Sequence, residues 1–216
     1  MLEFEMATPD NVQDGAMLIV LQHGRGGDRR SLTVLRSRLP ATAIVVTSQA
    51  PFPADAWGYG SGWAWYRYLE GTTPEPASFE TGQRRFDDFL QTLPDRLPVT
   101  PGRLVLGGFS QGATTSLAYA LRHPGQVSGV IVLSGFLANH PSVRVAAETV
   151  QGTRIFWGHG TEDAAIPFAY AGEGRARLQA VGADLTIRDY PIDHRISAEE
   201  MVDVLAWLEV PAAAAT

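Results

Sequence analysis

The sequence predicts an α/β fold with a mostly parallel central sheet and helices on both faces. Two observations lead there. Short, β-rich apolar runs alternate along the chain with longer amphipathic stretches, the pattern of a helix-covered parallel sheet. The runs at 16–22, 104–108 and 127–133 are apolar almost throughout, as suits strands buried on both faces. Right-handed crossovers then distribute the helices to both sides.

Taken in order, strands are expected at 16–22, 43–47, 104–108, 127–133, 154–157 and 185–190. Helices are expected at 28–38, 78–93, 111–122, 168–181 and 197–208. In the second helix Phe79, Phe86, Phe89, Leu90 and Leu93 recur at helical spacing and read as core. The last helix carries its own start signal, Ser197 as N-cap with Glu200 three residues on. Residues 50–76 resist assignment. They hold four prolines together with Trp57, Tyr59, Trp63, Trp65, Tyr66 and Tyr68. So long a loop is usually functional or disordered, and its aromatic density argues against disorder. One domain spanning 1–210 is expected, with no second or cap domain and a flexible tail at 211–216.

Composition narrows the function. The chain has 216 residues, 45% apolar and 19% charged, with a formal charge of −6 and no basic stripe, so a nucleic-acid partner is not expected. There is no cysteine, hence no disulfide, thiolate metal site or thiol nucleophile. The N-terminus has acids where a secretory signal has bases, and no apolar run is long enough for a membrane span. A cytoplasmic location is the expectation.

Ligand sites in such sheets lie beyond the carboxyl ends of the strands. There the chain offers Gly108-Phe109-Ser110-Gln111-Gly112. Gly-x-Ser-x-Gly alone is a weak match, because a glycine-flanked serine can be a purely structural turn. Here a buried strand precedes it and a helix follows, the context of a strained turn that lifts a nucleophilic serine. The flanking glycines remove side chains that would collide with neighbouring backbone.

A serine hydroxyl needs an imidazole to take its proton, and the imidazole needs a carboxylate to orient it. Of five histidines, His123 lies at the far end of the helix that Ser110 begins, roughly 20 Å away at 1.5 Å per residue. His140 reads as a surface-loop residue and His159 as a turn residue. His194, between the last strand and the last helix, is the first choice, and His23 the second. Asp163, just past the strand at 154–157, is the expected acid. Asp189 sits inside a strand, Asp193 adjoins His194, and Glu162 points away if Asp163 points in. The order Ser110, Asp163, His194 is that of α/β-hydrolases.

The segment Gln22-His23-Gly24-Arg25-Gly26-Gly27-Asp28 also follows a strand. Its glycines free the backbone to turn N–H groups inward, and the backbone N–H groups of Arg25 and Gln111 are the expected oxyanion donors. It lacks a phosphate-loop pattern. His23 reads as a residue pinning this loop. Trp63, Trp65 and Tyr66 are expected either to line an acyl pocket or to pack in the core.

Together with Leu133-Ser134-Gly135, His159-Gly160-Thr161-Glu162-Asp163 and Tyr190-Pro191-Ile192-Asp193-His194, these motifs resemble the phospholipase/carboxylesterase family of α/β-hydrolases, which includes small bacterial esterases and acyl-protein thioesterases. The resemblance spans most of the chain. It implies ester or thioester hydrolysis by Ser110, Asp163 and His194, with Arg25 and Gln111 as oxyanion donors and without cofactor or metal. Asp193 stands where the family often has glycine before the catalytic histidine. Dienelactone hydrolases share the architecture, but their usual nucleophile is cysteine. A carboxylesterase for short- to medium-chain acyl esters, as monomer or homodimer, is the leading expectation. An acyl-protein thioesterase or lysophospholipase keeps the chemistry and changes the substrate. A non-catalytic ligand receptor on a hydrolase fold is the alternative of another class.

Overall fold

Apolar runs dictate the sheet. A computed structural model describes residues 1–210, and the expected tail at 211–216 lies outside the described residues. Seven strands, β1 (Phe4–Ala7), β2 (Leu18–Gln22), β3 (Ile44–Ser48), β4 (Leu104–Phe109), β5 (Gly129–Leu133), β6 (Arg154–Gly160) and β7 (Asp184–Tyr190), form one sheet in the order β1-β3-β2-β4-β5-β6-β7. Only β1 runs antiparallel, pairing Phe4 with Ser48 through Ala7 with Val45. The sequence does not announce it, because Phe-Glu-Met-Ala is too short to stand out as a strand. Its edge position tolerates that.

Side chains alternate across the pleat, so one run feeds two cores. Leu18, Val20, Leu106, Val130, Val132 and Trp157 pack on one face with α1 (Pro76–Thr92), α2 (Gln111–Arg122) and α4 (Phe168–Ala180). A short helix, α3 (Ala147–Val150), borders this face. Ile19, Leu21, Val105, Ile131, Leu133 and Phe156 face the other way, against Met201, Val204, Trp207 and Leu208 of α5 (Ala198–Glu209).

The helix caps follow local chemistry. Glu75 accepts from the N–H groups of Ala77 and Ser78 at 3.1 and 2.7 Å, and Pro76 begins α1 without a donor to lose. Ser197 accepts from Glu200 N–H at 3.0 Å. The return half of that capping box is missing, because the Glu200 side chain turns into the protein instead.

The expected helix at 28–38 is a 3-10 segment, Thr33–Arg38, preceded by turns. Asp28 Oδ1 accepts from the N–H groups of Arg30 and Ser31, and the Thr33 hydroxyl donates to the Arg30 carbonyl. These polar side chains compete for backbone groups that an α-helix would use, while the tighter turn still buries Leu32, Leu35 and Leu39. Residues 50–76 hold two small hairpins, Phe52–Pro53 with Trp63–Ala64 and Tyr68–Glu70 with Thr73–Pro74. No helix of the described residues is long and apolar enough to cross a membrane.

The chain leaves β2 for β3 on one side and later returns to β4 on the other. This reversal of strand order opens a crevice beyond the carboxyl ends of β2 and β4, the usual place for a ligand in such sheets.

Candidate active site

Ser110 sits at that crevice with φ 54° and ψ −118°, a strained conformation for a residue with a side chain. The strain is held by close approach of backbone. A Cβ on Gly108 or on Gly112 would overlap the Gln22 carbonyl oxygen, so β4 and α2 can come this near β2 only with glycine on either side of the serine. Ser110 N–H donates to Leu133 O at 2.8 Å, and Thr114 N–H returns to Ser110 O at 3.1 Å. The hydroxyl of Ser110 has no hydrogen-bond partner among the described residues.

Asp163 is buried just past β6. Its Oδ1 accepts from Ala165 N–H and Ile166 N–H at 2.9 and 2.8 Å, and its Oδ2 lies 2.7 Å from His194 Nδ1. The ring of His194 rests on Phe109, centroid to centroid 4.6 Å, immediately before Ser110. Ser110 and His194 line one cleft of about 400 Å³. Asp193, the neighbour of His194, points to solvent and pairs with Arg195 at 2.9 Å.

The other histidines are otherwise engaged. His23 is buried, and burial brings its pKa down to about 4. Its Nε2 accepts from Ala50 N–H at 3.0 Å, so the proton stays on Nδ1, which donates to Gly24 O at 2.7 Å. The imidazole therefore ties the 23–27 loop to the end of β3. His159 is not a turn residue: β6 continues through Gly160, and the ring is wholly buried with Nε2 2.9 Å from Ile166 O. Burial lowers its pKa, which keeps it neutral and a donor to that carbonyl. His140 is also no open-surface residue, since its ring packs on Phe79 at 4.8 Å. His123 caps the far end of α2.

The N–H groups of Arg25 and Gln111 donate to no protein acceptor among the described residues, and Gln111, first in α2, has no carbonyl behind it in the helix. Arg25 lines the cleft with Ser110 and His194, and Gln111 follows Ser110 directly in the chain.

Trp65 and Tyr66 do not line this cleft. Both are buried in the core against Phe86 and Phe79. Trp63 exchanges hydrogen bonds with the glycine loop instead, Gly26 N–H to Trp63 O at 2.8 Å and Trp63 N–H to Gly27 O at 2.9 Å. The Gln111 amide accepts from Trp65 N–H at 2.8 Å and donates to Tyr66 O at 2.7 Å, while Trp65 Nε1 donates to His23 O at 2.9 Å. The backbone groups of this stretch and the Trp65 indole bond to the loop and to Gln111, so 63–66 buttresses the 23–27 loop. The cleft walls are Arg25, Tyr68, Leu69, Glu70, Ile166 and Tyr170. Sequence reading passed over Tyr170 and Ile166, although the carboxyl-end rule covers the stretch after β6. No three His, Cys, Asp or Glu side chains form a metal-binding cluster among the described residues.

A sequence profile described as Phospholipase/Carboxylesterase matches residues 6–211. The acyl-protein thioesterase 1 of Kluyveromyces lactis is 26% identical over 211 residues, covering 91% of this chain and 92% of that protein. Among solved structures, the Bacillus cereus carboxylesterase superposes with a TM-score of 0.81 at 17% identity, covering 96% of this chain and 93% of that one. The Zea mays acyl-protein thioesterase 2 gives 0.77 at 22% identity, covering 95% and 97%. At these identities the two structures speak for the fold alone.

Proposed function

The chain belongs to the phospholipase/carboxylesterase family, and on that premise we propose that it is a serine carboxylesterase acting on short- to medium-chain acyl esters through Ser110, His194 and Asp163. It is a hydrolase with the α/β-hydrolase fold. The observation that carries the triad is the 2.7 Å contact between His194 Nδ1 and Asp163 Oδ2 beside the strained, unpartnered serine.

In this mechanism the ester carbonyl enters the cleft and His194 Nε2 closes on Ser110 Oγ. Such contacts are commonly loose without substrate and tighten in the complex. Ser110 Oγ attacks the carbonyl carbon as its proton passes to Nε2. Asp163 holds the imidazolium by Nδ1–H and selects the tautomer that leaves Nε2 free to accept. The N–H groups of Arg25 and Gln111 receive the tetrahedral oxyanion, a donor being worth about 3–4 kcal/mol in comparable sites. The intermediate collapses as His194 gives its proton to the leaving alcohol oxygen. Water then attacks the acyl-serine, His194 takes its proton and returns it to Ser110, and the acid departs.

The cleft supports the size of the acyl group. At about 400 Å³ it lies near the small end for ligand sites, and it must hold both halves of the ester. The same chemistry would cleave a thioester, and the Kluyveromyces relative's name favours that second reading. The absence of cysteine supports a cytoplasmic setting. The test is a p-nitrophenyl ester series from acetate to palmitate with matched thioesters, beside fluorophosphonate labelling. Wild-type protein should label and turn over, with the optimum at or below octanoate, and Ser110→Ala should do neither while keeping its circular dichroism. Turnover retained by folded Ser110→Ala would overturn the assignment.

A further inference from the structure

Resting on that reading, we infer that the side chain of Arg25 selects esters whose acyl portion carries a carboxylate. Arg25 lines the cleft with Ser110 and His194. Its guanidinium lies 4.7 Å from the centroid of Tyr59 and 5.5 Å from that of Tyr68. The two rings are themselves fixed, standing edge to face at 6.4 Å with Tyr59 Oη accepting from Tyr68 N–H at 2.8 Å. A guanidinium carried on ring faces keeps its N–H donors available in its own plane. Arg25 uses none of them, since its side chain makes no hydrogen bond or ion pair among the described residues. The protein has thus built a platform for a cation at the cleft wall and left its donor fork unspent.

That fork matches a planar carboxylate with two parallel hydrogen bonds. The same cleft carries one acid, Glu70. One cation facing one acid suits a monoanion better than a dianionic phosphate, which would gain less from Arg25 and suffer more from Glu70. The side of the ester follows from the mechanism. His194 must reach the leaving oxygen, so the alcohol departs on its side and the acyl chain runs along the wall of Arg25 and Tyr68.

The test compares p-nitrophenyl hydrogen adipate with its methyl-capped ester, which differ in one charge at nearly equal length. The wild-type kcat/KM ratio, charged over capped, should be about tenfold or more. In Arg25→Met it should fall to near one. Because the two esters share the backbone oxyanion step, the ratio cancels any disturbance of that step. Arg25→Lys should retain part of the preference, and Tyr59→Leu, outside the cleft wall, should lose part of it. Salt at about 0.5 M should reduce the wild-type ratio. A wild-type ratio near one with both esters turned over, or a ratio unchanged in Arg25→Met, overturns this inference and leaves the esterase reading standing. Failure of both esters together with no fluorophosphonate labelling overturns the esterase reading itself.

Discussion

The indole N–H of Trp65 donates to the carbonyl of His23 at 2.9 Å, tying an aromatic core residue to the loop that presents the N–H of Arg25. On the other side, the backbone N–H of Trp65 is held by Gln111. One residue thereby braces both expected oxyanion donors. Preorganised donors stabilise a transition state because they need not be reoriented when charge develops.

Trp65→Phe keeps the ring and removes the donor. The expected result is a fall in kcat of about tenfold with KM little changed, since an interaction used only in the transition state is weakened. Steady-state kinetics on p-nitrophenyl butyrate read this directly. Wild-type kcat in the variant would show that the brace has no part in turnover.

Asp163→Asn should be more severe. The Asn oxygen can keep the N–H groups of Ala165 and Ile166, which Asp163 Oδ1 accepts at 2.9 and 2.8 Å. Its NH₂ then faces His194 Nδ1 and forces the proton to Nε2, the wrong nitrogen for a base. A loss of about 10⁴ in kcat is expected, with the fold retained, as for the equivalent change in a well-studied serine protease. A loss under about tenfold would remove Asp163 from the triad.

Burial depresses His23 to about 4, whereas an unfolded imidazole titrates near 6.5. Between those values the unfolded chain binds the extra proton. This contribution is complete above about pH 6.5 and is lost as pH falls toward 4, by about 1.4 kcal/mol per pH unit. From pH 7 to 5, wild type should lose about 2 kcal/mol more than His23→Gln. Urea unfolding of both proteins at the two pH values measures it, and parallel losses would show that His23 is not the titrating group. His123, His140 and His159, also lowered by burial, remain in both proteins and cancel.

Glu200 works in the opposite sense. Its carboxylate is buried on α5 against Gly158, both oxygens lack hydrogen-bond partners among the described residues, and burial raises its pKa to about 7. The folded chain holds a proton that the unfolded chain releases near 4.5, so stability from this group is present below about pH 4.5 and is lost as pH rises to about 7. Glu200→Gln should gain about 3 kcal/mol at pH 8, or several degrees in Tm, and less than about 1 kcal/mol at pH 5. Melting curves at both pH values check this; equal shifts would exclude titration as the cause.

Much of the fold was legible because its determinants are local or periodic. The runs that became β2, β4 and β5 are apolar enough to identify buried strands, and α2 begins at Gln111 as expected. The helix expected at 28–38 is a 3-10 segment instead, because apolar residues three and four apart serve a 3-10 turn as well as an α-helix. What separates them is how Asp28 and Thr33 spend backbone partners. Strand β6 was expected to stop at Trp157, before the glycines on either side of His159, yet it pairs with β7 through Gly160.

The sequence alone determined the candidate chemistry. A glycine-flanked serine between strand and helix, then an acid and a histidine after later strands, is a pattern that sheet topology gathers at one edge. Only the tertiary structure decided what Trp63, Trp65 and Tyr66 do. A pocket wall and a buttress call for the same apolar rings, and the difference lies in which backbone groups pack beside them. It likewise decided the surroundings of Arg25, since Tyr59 and Tyr68 lie more than thirty residues further along the chain and meet its guanidinium only after folding.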